Sequence, residues 1–160
     1  MKCTTTANTL AIAFAIALTL GIAPQAQAGT DKGCSNASLE GTFAYTVAGS
    51  VLAPPQFAGL FASVGAQTFD GNGGTTATAT VSLSGNILKV TITGTYTVNP
   101  DCTGSMTLNI SSQNPPVSLT NHAFFVIEDS LAGFRAIQTD QGVVVSGTAR
   151  RQFPETDWRH

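Results

Sequence analysis

Charge is scarce in this chain: 160 residues carry seven Lys and Arg against nine Asp and Glu, a formal net charge of −2. The cations Lys32, Lys89, Arg135, Arg150, Arg151 and Arg159 form no patch interleaved with aromatics, which excludes the footprint of a nucleic-acid binder. Arg150-Arg151 reads as a solvated strand end. Histidine is nearly absent as well, with only His122 and His160, and no metal-ligand spacing links them, so no metal site is expected. The one cluster of oxygen ligands, Asp70-Gly71-Asn72-Gly73, holds a single carboxylate and reads as a hairpin turn before a calcium loop. No Gly-x-Ser-x-Gly elbow occurs; Ala48-Gly49-Ser50 and Val145-Ser146-Gly147 match only parts of one. A Ser–His–acid triad would need His122, and no spacing favours it. Cofactor motifs are missing too, and the residues call for no cofactor.

Cysteine is sparse and informative. Cys3 lies ahead of an apolar run from Leu10 to Ile22, broken only by Thr19 and Gly21 and ended by Pro24. With Lys2 before it and Ala26-Gln27-Ala28 after it, the run has the pattern of a signal peptide, residues 1–28, cleaved near Ala28. It is short for a transmembrane helix, which needs roughly 20 apolar residues, and no Leu-x-x-Cys follows it to carry a lipid. A secreted or periplasmic protein without a stable membrane anchor is the expectation. Cleavage removes Cys3 and leaves Cys34 and Cys102, an even count in an oxidising compartment, which favours one disulfide. So long a loop stabilises by roughly 4 kcal/mol on the chain-entropy model. Two redox-active thiols are the alternative, but no Cys-x-x-Cys supports it.

Helical periodicity is the other absence. In its place, alternation of Thr, Val, Ile and Phe with turn residues predicts an all-β domain over residues 29–150 and a frayed tail over 151–160. Gly41 to Val51 forms a first strand with Phe43, Tyr45 and Val47 on one face. Leu52-Ala53-Pro54-Pro55 interrupts it, and Ala58 to Phe69 resumes. Thr75 to Ser84 alternates Ala77, Ala79, Val81 and Leu83 with threonines and serines. After Gly85-Asn86, Leu88, Val90, Ile92, Tyr96 and Val98 share a face. Beyond the turn Asn99-Pro100-Asp101, Cys102 to Ile110 turns Met106, Leu108 and Ile110 inward. Ser111 to Asn121, with Pro115 and Pro116, reads as a long loop. His122 to Glu128 is apolar on both faces, and Phe134 to Thr139 and Val143 to Arg150 complete the set. About eight antiparallel strands fit a single barrel, the favoured architecture, or else a two-sheet sandwich.

The segment Gly94-Thr95-Tyr96-Thr97-Val98-Asn99-Pro100-Asp101-Cys102-Thr103-Gly104 resembles a signature of small exported bacterial proteins of unassigned function. Phe69-Asp70-Gly71-Asn72-Gly73, Phe125, the run from Gly133 to Asp140, and Gly142, Gly147 and Arg150-Arg151-Gln152 extend the likeness. The resemblance implies a small β-barrel similar in outline to the calycin and allene oxide cyclase/dirigent barrels. It implies no catalytic residue.

Three functional expectations follow. The first is a small apolar ligand held inside the barrel or a role at the cell envelope, with Phe43, Tyr45, Phe61, Ile92, Tyr96 and Phe125 as lining residues. The second is an isomerase or cyclase of the dirigent kind, with Glu128 and Arg135 paired at a barrel mouth and Tyr96 as a hydroxyl donor. The plainer reading of Glu128 and Arg135 is a solvated hairpin. The third is a surface role for the threonine rows Thr76-x-Thr78-x-Thr80 and Thr91-x-Thr93-x-Thr95-x-Thr97, although such rows are commonly ordinary sheet surface. The oligomeric state is left open.

Overall fold

The computed structural model describes residues 33–152. The signal segment read at 1–28, and the tail beyond residue 152 with His160, lie outside that range. Within it the alternating stretches form eight strands: β1 (Gly41–Val51), β2 (Gly59–Phe69), β3 (Gly74–Leu83), β4 (Asn86–Val98), β5 (Thr103–Gln113), β6 (Pro116–Ile127), β7 (Gly133–Gln138) and β8 (Val143–Arg151). Each pairs antiparallel with its successor, and β8 returns to β1, closing a meander barrel. Closure leaves neither β1 nor β8 as a free edge, which a sandwich would have left exposed.

Turn chemistry sets the register. Ser84 and Gly85 both take positive φ, 50° and 86°, between the paired residues Leu83 and Asn86. This is the two-residue turn whose twist matches that of the flanking strands. At the opposite end, Asp70 Oδ1 accepts the backbone N–H groups of Asn72, Gly73 and Gly74 at 2.8–2.9 Å. The carboxylate thereby completes the β2–β3 turn.

One expectation is overturned. The stretch from Ser111 to Asn121 is no loop: Ser111 pairs with Ser118, Ser112 with Val117 and Gln113 with Pro116. Only Asn114 and Pro115 are left to turn the chain. Pro116 is the first residue of β6, a position where a strand tolerates proline. The tail begins later than expected as well. Arg151 belongs to β8, and the Gln152 N–H donates to Thr42 O at 2.8 Å.

Side chains of alternate residues point into the barrel, and their sizes divide it into two halves. At the end holding the 70–73 and 99–102 turns, Phe43, Phe69, Tyr96, Phe125 and Phe134 pack with ring centroids 5.0–5.7 Å apart. Edge-on and tilted pairs of this kind add roughly 0.5–1.5 kcal/mol each beyond their buried area. The segment before β1 seals this end. Leu39 is 0% exposed there, the Tyr96 hydroxyl donates to Asn36 O, and the Val98 N–H donates to Asn36 Oδ1. The Cys34–Cys102 disulfide pins the plug to the β4–β5 turn. Arg151 is no simple solvated strand end: its guanidinium lies 4.6 Å over the Phe43 ring and donates to Ser38 O and Glu40 O. Cation–π attraction and two charge-assisted hydrogen bonds hold the plug from the other side.

Candidate functional site

The other half of the barrel is not filled. Glycine or alanine stands on six inward-facing positions, Gly65, Ala79, Gly94, Ala123, Ala136 and Gly147, and leaves interior space. Ala123, Ala136 and Gly147, with the aliphatic side chains of β3 to β6 and β8, line a cavity of about 390 Å³. A preformed cavity of this size falls in the range of small-molecule sites. Its floor includes Phe134 and Met106, and Phe57 and Phe61 border it from β2 and the connection that precedes β2.

The wall is interrupted on one side. β7 pairs with β6 only from Ala123 to Ile127, so the first half of β6 has no neighbour there. The turn between β7 and β8 occupies the gap. Asp140 Oδ2 accepts the His122 N–H at 2.7 Å, and Asp140 Oδ1 lies 2.7 Å from His122 Nδ1. Thr120 and Ile137, on outward-facing positions, border the cavity beside this latch. Across the mouth, the Leu52 and Ala53 N–H groups donate to Gly142 O, tying the β1–β2 connection to the same turn.

The expected lining residues divide between the two halves. Tyr45, Phe61 and Ile92 border the cavity. Phe43, Tyr96 and Phe125 do not, because they form the sealed aromatic end. A face-by-face reading of the strands cannot show this, since all six residues point inward and differ only in height along the barrel axis.

The candidate acid–base group does not converge on the cavity. Glu128 and Arg135 do meet, with Oε1 and Nε 3.5 Å apart, but Arg135 is 76% exposed and the pair lies at the β6–β7 hairpin. The alternation that turns Phe134 and Ala136 inward necessarily turns Arg135 out. Tyr96 has its hydroxyl engaged by Asn36 at the plug. Asp140 is the one charged residue bordering the cavity among the described residues.

Polar groups border the cavity on two sides: Asn121 of β6 and Gln138 of β7, on inward-facing positions near the latch, and a cluster on the wall formed by β1 and β2. Ser63 and Gln67 of β2 are buried and border the cavity together with Tyr45 of β1. Tyr45 is in register with Gly65, which stands between them. A side chain at Gly65 would bring its Cβ 2.9 Å from the Tyr45 hydroxyl and 2.4 Å from Thr78 O, so glycine makes room for the phenol. Burial pushes the Tyr45 pKa above the ordinary tyrosine value, and the neighbouring Ser63 side chain opposes this only in part. No hydrogen bond of normal geometry joins the two. Gln67 Nε2 donates to Thr75 Oγ1 at 3.0 Å, and the Thr75 hydroxyl donates to Thr68 O at 2.9 Å.

Ser63 and Gln67 are the functional candidates that reading the sequence missed. A signal for them exists. β2 carries Leu60 and Val64 outward, both well exposed, while Ser63 and Gln67 face in. Taking Phe61 and Phe69 as the inward anchors would have placed Ser63 and Gln67 inside by period two.

Hydroxyls dominate the outer face of β3 to β5. Thr76 pairs with Thr93 and Thr78 with Thr91, and the rows continue to Asn109 and Ser111 on β5. Several satisfy one another: Thr42 with Thr68 at 3.0 Å, Thr91 with Ser111 at 2.9 Å, and Thr120 with Asn109 at 2.9 Å.

No protein-family model, curated protein or solved structure matches the chain. Fold and cavity therefore define its class directly: a closed eight-stranded meander barrel with one plugged end and one cupped, apolar end.

Proposed function

We propose that this protein binds a small apolar molecule inside the barrel. The observation that carries the reading is the cavity of about 390 Å³, walled by aliphatic side chains, in a barrel whose other half is packed solid. A cavity lined mainly by aliphatic and aromatic side chains takes an apolar guest more readily than water. The disulfide supports a working place outside the reducing cytosol, in keeping with the export signal read at residues 1–28. Native mass spectrometry of the protein purified from its own secreted fraction tests the reading. An adduct of a few hundred daltons, released on denaturation, is the expected result; a bare mass that also fails to take up added apolar probe contradicts it.

The aligned hydroxyl rows support a second reading, adhesion to an insoluble polysaccharide through the outer face of β3 to β5. Co-sedimentation with purified cell-wall polysaccharide, abolished in a Thr76→Val, Thr93→Val variant, is its test. An isomerase or cyclase has less support, because Glu128, Arg135 and Tyr96 lie away from the cavity.

A further inference from the structure

The polar wall inside the cavity narrows the ligand class. This inference rests on the apolar-ligand reading and deepens it. The Thr75 hydroxyl has a single proton, and that proton goes to Thr68 O. Toward Gln67, Thr75 Oγ1 can then only accept, which fixes the Gln67 amide with its nitrogen on Thr75 and its carbonyl oxygen turned elsewhere. Gln67 is 6% exposed, and its Oε1 accepts no hydrogen bond among the described residues. That oxygen nevertheless retains accessible surface, since the Ser112 hydroxyl is the one fully buried and unpartnered side-chain atom among them. The open space beside Gln67 is the cavity.

A buried amide oxygen facing an apolar space is an acceptor awaiting a donor, and leaving it unmatched is unfavourable. The cavity's charge pattern restricts what that donor can be. Among the described residues no Lys, Arg or His borders it, and its single charged neighbour is Asp140 at the latch. A carboxylate or phosphate head would lose its hydration without gaining a cation, and would meet a like charge at the mouth. An ammonium would find one carboxylate at the mouth and none at the polar wall.

We infer that the ligand is an uncharged, hydroxyl-bearing apolar molecule whose O–H donates to Gln67 Oε1. The Tyr45 and Ser63 hydroxyls border the same cavity and can donate to a ligand oxygen in return. Its size follows from volume. A cavity of about 150 Å³ holds benzene, so about 390 Å³ holds roughly fifteen non-hydrogen atoms in proportion. That suits a medium-chain alcohol or a small terpenoid alcohol.

The test is displacement of the neutral fluorophore N-phenyl-1-naphthylamine by three matched molecules: 1-dodecanol, its methyl ether, and dodecanoate at pH 8. The alcohol donates, the ether only accepts, and the carboxylate is charged. Dodecanol is expected to compete about five- to tenfold better than the ether, the worth of one matched hydrogen bond, and better still than dodecanoate. In Gln67→Leu the advantage of alcohol over ether is expected to disappear. Gln67→Met, which keeps the length of the side chain and removes the carbonyl acceptor, is the fallback should that variant fold poorly; it is expected to remove the same advantage. Dodecanoate competing as well as dodecanol, or equal competition by alcohol and ether, overturns the inference while leaving apolar binding intact. Failure of the fluorophore and all three molecules to bind overturns the cavity reading itself.

Discussion

Cutting the cross-link between Cys34 and Cys102 should expose how the plugged end is held. The two cysteines are 68 residues apart, and the loop they close contains β1 to β4, half of the barrel. Removing a cross-link that closes a loop of this length frees the unfolded chain by about 4 kcal/mol in the entropic model. For a domain of this size about 1 kcal/mol corresponds to roughly 4 °C in Tm, so Cys34→Ala, Cys102→Ala should lower Tm by roughly 15 °C. The plug supplies an internal control. Leu39 is the plug's fully buried side chain, and Leu39→Ala should cost roughly 2–5 kcal/mol wherever the plug is seated. If hydrogen bonds from Tyr96, Val98 and Arg151 seat the plug without the disulfide, the two changes should add. The assay is reversible thermal and denaturant unfolding of the disulfide variant, the Leu39→Ala variant and their combination. A Tm drop below about 5 °C would refute the loop-entropy reasoning. Loss of the Leu39 effect in the disulfide-free protein would show that the cross-link itself seats the plug.

Other outcomes follow from the same geometry. Phe125→Ala should cost roughly 3–5 kcal/mol, because Phe125 is fully buried, whereas Phe124→Ala, 42% exposed on the outer face, should stay within about 1 kcal/mol; paired unfolding curves decide it. Burial raises the pKa of both tyrosines, Tyr45 and Tyr96, so their folded state holds the proton more tightly than the unfolded chain does. Their contribution to stability is full below the unfolded value of about 10 and is lost as pH rises through the folded values. Ultraviolet titration should place the tyrosinate transition above that value, and Tyr45→Phe should flatten the alkaline loss of stability. Asp70 behaves oppositely: hydrogen bonds from the Asn72 and Gly74 N–H groups, then Gly73, lower its pKa. Its contribution is present above the unfolded carboxylate range and is lost as pH falls through the lowered value, so Asp70→Asn should remove part of the acid limb of a stability–pH profile.

Much of the fold is legible in the alternation of small and β-branched residues and in the turns. Asp70-Gly71-Asn72-Gly73 and Gly85 mark hairpins because few other residues adopt the required backbone or cap it, although the second turn falls on Ser84-Gly85, one residue earlier than the expected Gly85-Asn86, which leaves Asn86 paired with Leu83. The start of β6 is hidden because Pro115 and Pro116 speak locally for a loop, while the alternation of Val117, Leu119 and Asn121 with Ser118, Thr120 and His122 speaks for a strand that only pairing with β5 can stabilise. The site is less legible than the fold. Period two separates inside from outside, yet the boundary between the packed and open halves depends on which residues share a level after the strands tilt and stagger. Phe125 and Phe61 are both inward aromatics, and only the register sends one to the sealed end and the other to the cavity. Gln67 escapes notice for a related reason: its polarity is matched by Thr75 of the next strand, a partner that appears only when β2 and β3 pair.

The central claim is that the open half of the barrel is a binding cavity, and fluorescence titration with N-phenyl-1-naphthylamine tests it most directly when paired with a variant that fills the space. Leu108 borders the cavity from β5, and Leu108→Trp adds volume where the wall is otherwise unfilled. Overpacking there should cost no more than roughly 1–3 kcal/mol. The native protein is expected to bind the fluorophore with a blue-shifted, enhanced emission at micromolar concentration, and the folded Leu108→Trp variant at least about tenfold more weakly. Equal binding by both proteins, or none by the native one, would contradict the account.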